Sequence, residues 1–338
     1  MAESFSATSG HTDGVDGPAG KRVAAIDCGT NSIRLLVADL HRSGGTVRLA
    51  DVHREMRVVR LGEGVDATGR LSGTAIDRTW SALSDYTAIL RTAGAVQVRM
   101  AATSATRDAA NRQDFVDMVR STLGQEPEVV SGNEEAELSF RGAIGDLDAD
   151  TGPFLVVDIG GGSTEMVVGS AEEGRVSIAG ALSLDIGCVR ITERLLRTDP
   201  PTPAERAEAG NWARTTLAGG LDRLPLEQVR RVIPVSGTAT TVAAAALRLH
   251  RYDPDRIHLA QVPFRRVHEV ADFLLGAHRS HRAALGYMHP GRVDVIGGGA
   301  LILSTLVSLL DKRLPDGVER DITVSEHDIL DGLALSLA

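Results

Sequence analysis

Two short runs of this sequence place an acid, a glycine-rich turn and a hydroxyl in the same order. One is Asp27-Cys28-Gly29-Thr30-Asn31-Ser32. The other is Asp158-Ile159-Gly160-Gly161-Gly162-Ser163, followed by Thr164 and Glu165. Backbone N–H groups in such turns converge into a nest for anionic oxygens, and the carboxylate beside each turn suits a hard cation or its water shell. Two familiar glycine loops are excluded. A dinucleotide fold or a P-loop puts a helix after its glycines, whereas residues 164–168 alternate as a strand rich in β-branched side chains. Neither of the two lysines, Lys21 and Lys312, stands in a Gly-Lys-Ser/Thr motif. The unit is strand, glycine turn, strand.

Other candidate groups are single residues. Glu134 and Glu135 are adjacent acids where a helix should begin. Ser131 and Glu134 have capping-box spacing, which would fold Glu134 back onto the cap. Glu135 points about 100° further round the helix, and from the residues alone it reads as a solvated first-turn acid favoured by the helix dipole. Arg107 follows a predicted strand, at the end where open α/β sheets place ligands. Arg60, Arg190, Arg282 and Arg292 stand in recognisable blocks, and Arg292 with Asp294 could form a structural ion pair. His289 has no ligand-spaced partner.

These residues need elements to position them. Residues 23–40 and 154–171 match as two copies of the same unit, which suggests duplicated halves facing each other across a cleft. Between the copies, Ile76, Trp80, Leu83, Ile89 and Leu90 share one face of a helix expected from Ser72 to Gly94. A strand follows over 96–100, a loop over 102–112, a helix over 115–123 and a short strand over 127–130. This alternation indicates an α/β fold. After the second copy, Thr202 as N-cap and Pro203 open a helix running to about Leu217. Residues 231–235 form a buried strand entering the turn Ser236-Gly237-Thr238, residues 302–310 form a helix, and Ser325 caps a last one.

The 338 residues suffice for two ordinary domains, with 43% hydrophobic and 24% charged residues. We expect a disordered tail over 1–20, a first domain over 21–150 and a second over 151–324. The tail has neither the basic start nor the apolar core of a signal peptide, and no apolar run has membrane-spanning length. Two cysteines make no disulfide framework, so a cytoplasmic enzyme with no membrane partner is expected. A net charge of −9 argues against nucleic acid as a partner, while a local basic cleft could still take a polyanion.

At this point the sequence resembles the actin-like phosphotransferase superfamily. Within it, the match is to the exopolyphosphatase / guanosine pentaphosphate phosphatase family. The blocks AAIDCGTNSIRLLVADL, RLGEGVDATGRLS, ATSATRDAANRQDF, VVSGNEEAELSFRGA, VVDIGGGSTEMVVG, IGCVRITERLL, VSGTATT and RVDVIGGGALIL are similar to that family's, in its order. The resemblance implies two actin-like (ribonuclease-H-like) domains with an interdomain cleft, and a terminal segment over 325–338 packing back on the first domain. It implies Glu135 as the base that orients water, and Mg2+ at Asp158, Gly160 and Glu165. It also implies phosphate contacts from Arg107 and from the N–H groups of Gly29, Thr30, Asn31 and Ser32 and of Gly160, Gly161, Gly162 and Ser163. The implied substrate is inorganic polyphosphate, with guanosine pentaphosphate (pppGpp) as the alternative and a homodimer as the assembly. A kinase of the same fold, or a phosphate sensor without turnover, are the other classes. Because the sequence stops just after the block SEHDILDGLALSL, a short two-domain form favouring short polyphosphates is expected. Cys28 departs from the family's usual aliphatic residue and should pack as a small apolar group. Glu135 is expected to be a weak base, with an ordinary carboxyl pKa of ~4.3.

Overall fold

The computed structural model describes residues 20–43, 46–172 and 175–338. The tail expected over 1–20 lies outside the described residues apart from Gly20. A first sheet contains β1 (Lys21–Cys28), β2 (Ser32–Ser43), β3 (Thr46–Val58), β4 (Gln97–Ala102) and β5 (Glu128–Val129), in the order β3-β2-β1-β4-β5. A second contains β6 (Phe154–Ile159), β7 (Thr164–Glu172), β8 (Arg175–Leu184) and β9 (Arg231–Val235), in the order β8-β7-β6-β9. In each, the first strand runs antiparallel to the second and parallel to the fourth. The sequence repeat is therefore a structural repeat. A two-stranded ribbon pairs β10 (Ala260–Pro263) with β11 (Asp321–Val324).

The central strands β1 and β6 are buried over almost their whole length, because both faces of each sheet are covered. On one face of the first sheet, Ile26 and Leu35 pack with Leu83, Tyr86 and Leu90 of the helix Gly73–Ala93 and with Phe115 of the helix Arg112–Leu123. The longer helix starts where Ser72 Oγ accepts the N–H of Ala75 and stops at Gly94, whose φ of 70° only glycine adopts readily. Trp80 does not join this core as expected; it is 53% exposed, and Thr79 and Leu83 face inward instead. The opposite face, with Val23, Ala25 and Leu36, is covered by Leu330 and Leu333 of the final helix Ile329–Leu335.

The helix Gly132–Ala143 belongs to both halves. Ala136, Phe140 and Ala143 pack on Val156, Val167 and Ile233 of the second sheet, while Leu138 joins the final helix on the first. It crosses the final helix at two glycines. A Cβ on Gly142 would lie 1.8 Å from the carbonyl oxygen of Asp328, and one on Gly332 would lie 2.0 Å from that of Leu138. Backbone meets backbone there, and no larger residue fits at either position. The far face of the second sheet carries the largest core, where Leu155, Val157 and Met166 meet Leu303 and Leu306 of the helix Ile296–Leu310.

Several boundaries differ from expectation. The loop expected over 102–112 contains a short helix, Ser104–Asp108. The helix expected over 302–310 begins at Ile296 and takes in Gly297, Gly298 and Gly299. These glycines are packing positions, not a turn: a Cβ on Gly298 would meet Thr192 Oγ1 at 2.5 Å. The Pro203 helix runs on to Leu221, secured by a full Thr202/Glu205 capping box. The final helix is capped by Asp328, not Ser325, because Asp328 and Asp331 form a reciprocal box. No described helix is long and apolar enough to cross a membrane.

Candidate active site

The two glycine turns meet in the cleft between the sheets. Gly161 and Gly162 of the second turn abut Thr30 of the first: a Cβ on Gly161 would lie 2.7 Å from Thr30 Cβ, and one on Gly162 would lie 3.0 Å from Thr30 Oγ1. Thr30 is held by a 2.8 Å hydrogen bond between its Oγ1 and Ser104 Oγ. Each turn closes on itself, with Gly29 N–H donating to Ser32 O at 2.9 Å and Gly160 N–H to Ser163 O at 3.0 Å. These two N–H groups are therefore occupied, which removes them from the expected anion nest. The inner amides of Thr30, Asn31, Gly161 and Gly162 have no acceptor among the described residues. Gly29, Thr30, Asn31, Ser32, Gly160, Gly161 and Ser163 all line the cleft.

Four buried carboxylates surround these turns. Asp27, at the end of β1, is paired to Arg34 directly across the β1–β2 ladder, with Nε at 2.9 Å and Nη2 at 2.6 Å from Asp27 Oδ2. Asp158, at the same point of β6, accepts from Ser139 Oγ at 2.9 Å. Its cross-strand neighbour in the β6–β7 ladder is Glu165. Glu165 is only 1% exposed and lies behind the cleft wall, not on an outward strand face. Its Oε1 accepts from Ser183 Oγ at 2.7 Å.

Glu135 enters the cleft from the first turn of the Gly132–Ala143 helix. Its neighbour Glu134 forms only half of the expected capping box. Ser131 Oγ accepts the Glu134 N–H, but the Glu134 carboxylate turns outward to Arg99 at 3.2 Å. Glu135 is not the solvated first-turn acid that its position alone suggested; the helix buries it against the second sheet. Arg107 is engaged at one nitrogen. Its Nη1 donates to Glu135 Oε2 at 3.0 Å and to Val130 O at 3.1 Å.

Burial sets the protonation of these groups. It raises the Glu135 pKa to about 7, against the pull of Arg107 and with help from the negative charges of Asp158 and Asp27. The ordinary carboxyl expected from the sequence is thus corrected upward. Burial, with Asp328 nearby, raises Asp158 to about 6. Burial and the charge of Glu135 raise Glu165 well above the usual range. Asp27 is raised by burial despite Arg34.

Two of the carboxylate oxygens, Asp27 Oδ1 and Glu165 Oε2, are buried with no hydrogen-bond partner. Unsatisfied carboxyl oxygens of this kind fit a hard, oxygen-seeking cation, whose charge would offset the burial that otherwise favours their neutral forms. No three of the cleft acids bring ligand oxygens within 4.8 Å of one another. Full carboxylate coordination is therefore not preformed. The donor set suits a cation that keeps several waters, as Mg2+ does when one or two carboxylates hold it. The Gly160 carbonyl already accepts from Cys188 N–H at 2.9 Å, which leaves it one lone pair.

Sequence reasoning missed the cations that line the cleft. Arg34 joins Asp27 to Asp328, and Ser236 Oγ donates to the same Asp328 oxygen at 3.2 Å. Burial works against the Asp328 charge, but Arg34 outweighs it and holds the carboxyl below its usual range. The +7 spacing of Asp27 and Arg34 across a tight turn was the available signal. Arg292 does not pair with Asp294. It reaches Gly237 O at 3.3 Å beside the cleft, while Asp294 pairs with Arg60 and Arg279. Ser236, with φ of 64°, holds the strained switch from β9 into the helix Ser236–Ala246. Arg282 is structural, buried on the carbonyls of Val293, Leu274 and Ala277. Arg190 pairs with Asp108 across the two halves, and His289 Nδ1 only accepts from Gly291 N–H.

The Ppx/GppA phosphatase family matches residues 37–336. Exopolyphosphatase 2 of Mycobacterium tuberculosis (strain H37Rv) is 52% identical over 322 residues, covering 94% of this chain and 98% of its own. The crystal structure of an exopolyphosphatase-like protein superposes with a TM-score of 0.88 at 38% identity, covering 95% of this chain and 98% of that one. The Ppx/GppA family member of Aquifex aeolicus superposes with a TM-score of 0.76 at 27% identity, covering 95% and 98%.

Proposed function

The chain belongs to the Ppx/GppA phosphatase family, with its actin-like two-domain fold, and on that premise we propose that it is a Mg2+-dependent exopolyphosphatase. The observation that carries the reading is Glu135, a cleft carboxylate whose pKa of about 7 suits a general base at neutral pH. Inorganic polyphosphate enters between the halves over 21–150 and 151–324. The inner amides of the two turns take the terminal phosphate oxygens. Arg34 and Arg292 offer charge to the same region. Glu135 accepts a proton from water as the water attacks the terminal phosphorus. The P–O–P anhydride bond breaks, and the shortened chain leaves on its bridging oxygen. When bound, the cation spreads negative charge developing on the phosphoryl oxygens; Asp158 and Glu165 are the residues to hold it, through water. Arg107 keeps the Glu135 carboxylate in place, so its part is positioning as much as phosphate contact.

The test measures free phosphate from long-chain polyphosphate and from guanosine pentaphosphate, together with phosphoryl transfer to an acceptor. Polyphosphate hydrolysis abolished by EDTA and restored by Mg2+ is the expected outcome. Glu135→Gln should lower turnover by roughly 10²–10⁴, with the fold retained. Glu134→Gln should leave turnover near normal. Equal losses in both variants, or release from the pentaphosphate alone, would overturn the reading.

A further inference from the structure

A second cluster of ligating side chains lies away from the cleft, where the chain passes between its two halves. The outgoing passage follows the helix Gly132–Ala143 and carries Asp146. The return passage, between β11 and the final helix, carries His327. His258 stands just before β10, in the stretch that pairs with β11 through Leu259 N–H and Val324 O at 2.7 Å. We propose that Asp146, His258 and His327 form a binding site for a divalent transition cation of the Zn2+ type, which staples the two passages together.

The ligand atoms of the three residues all lie within 4.8 Å of one another, and they form the only such group of three among the described residues. His258 Nε2 is 3.3 Å and His327 Nδ1 2.8 Å from the same oxygen, Asp146 Oδ2. Tetrahedral zinc with ligands at about 2.0–2.2 Å sets ligand atoms roughly 3.3 Å apart, so the cluster needs little rearrangement. The imidazole rings lie with centroids 4.7 Å apart and tilted by 40°, converging on the carboxylate without stacking. The side chains are 51%, 23% and 36% exposed for Asp146, His258 and His327, which leaves room for a water as fourth ligand. Hydrogen bonds from His258 and His327 hold the Asp146 carboxyl far below its usual range, so it is anionic and ready to ligate. Two imidazoles and one carboxylate select zinc-like cations over Mg2+, which prefers oxygen throughout.

Binding has a defined proton balance. Each imidazole coordinates as a neutral ring through the nitrogen that faces Asp146, so a proton on that nitrogen leaves to solvent from a charged ring or moves to the other nitrogen of a neutral one. At His258 that other nitrogen is Nδ1, which accepts a long 3.3 Å contact from Glu326 N–H. A proton arriving there displaces this one backbone contact.

The experiment titrates the full chain with Co2+ in saturating Mg2+, so that the cleft carboxylates are filled. One equivalent should develop the intense visible absorption of tetrahedral cobalt, and Zn2+ should abolish it. His258→Ala and His327→Ala, checked for folding by circular dichroism, should each weaken binding at least about tenfold. Zn2+ should raise the melting midpoint of the wild type but not of the double variant. Zn2+ should also protect His258 and His327 of the wild type from diethylpyrocarbonate, a reading that needs no variant to fold. Absence of the cobalt signal, its persistence in the double variant, an unmoved wild-type midpoint or unprotected histidines would overturn the proposal.

Discussion

Asp27 and Asp158 stand at the same place in two copies of one strand–turn–strand unit, and each faces the residue seven positions later across its hairpin. In the first copy that residue is Arg34; in the second it is Glu165. One slot therefore holds a guanidinium and the other a carboxylate. The first acid is neutralised by its own chain, which fixes Arg34 beside the turn. The second is doubled by a like charge, an arrangement that destabilises a ladder unless something compensates it. Asp158 has hydroxyls as its side-chain partners, Ser139 at 2.9 Å with Ser236 nearby, and Glu165 keeps an unpartnered oxygen. Duplicated halves have thus been given different tasks by one charge reversal. The first turn carries a self-neutralised ion pair, and the second leaves its two acids without a side-chain cation, as the proposed Mg2+ site requires.

Asp158→Asn should break the comparison most severely. Turnover should fall by about 10²–10³, on the scale of several kcal/mol of lost charge stabilisation, and the Mg2+ concentration for half-maximal activity should rise. Asp27→Asn should lower turnover by about ten- to a hundredfold through a misplaced Arg34, with the Mg2+ requirement unchanged. Titrating both variants with Mg2+ decides the point; equal shifts would erase the distinction. The acid limb of the pH profile sharpens it next. Activity should decline as pH falls through about 7, where Glu135 takes up its proton. Arg107→Gln should move that limb upward, because Arg107 favours the charged carboxylate.

Smaller effects separate the turns by packing. Gly161→Ala should destabilise by about 1–3 kcal/mol through its contact with Thr30. At Gly29 the nearest atom to an added Cβ is 3.6 Å away, so Gly29→Ala should change stability by less than about 0.5 kcal/mol. Thermal melts of both variants test this. The smallest effect concerns pH and stability without added cation. Glu135 binds its proton more tightly folded, at about 7, than unfolded, near its ordinary value of 4.5. The folded state then holds more protons between about 7 and the ordinary 4.5, and stability falls as pH rises across that window. Melting midpoints from pH 4.5 to 7 should decline, and less steeply in Glu135→Gln.

The repeat, the turns and the helix carrying Glu135 were legible because they are local. Strand alternation, Ser72 and Gly94 as caps, and the β-branched run after the second turn each act within a few residues. What stayed hidden depends on contacts between distant segments. Nothing near Glu135 announces its burial; that follows from Phe140 and Ala136 docking on a sheet not yet reached in the sequence. The Arg107–Glu135 pair has the same origin. Asp328 as both cap and Arg34 partner could not be seen from its own segment, where Ser325 offers an equally good capping residue. The helix expected over 302–310 falls short because glycine at residues 297–299 is a poor helix former, and its packing role against Thr192 and Thr238 shows only in the tertiary contacts.

The crossing of Gly142 and Gly332 bears on the order in which this protein comes to life on the ribosome. The helix that aims Glu135 is gripped from one side by a helix translated long after it, and chains grow from the N-terminus at only several residues per second. For that interval the nascent chain has both glycine-turn units and their acids but lacks the wedge that seats Leu138 and delivers Asp328 to Arg34. Hydrolytic competence should therefore switch on late and abruptly, as the Ile329–Leu335 segment clears the exit tunnel, and a chain stalled before it should hold a cleft that cannot yet turn over.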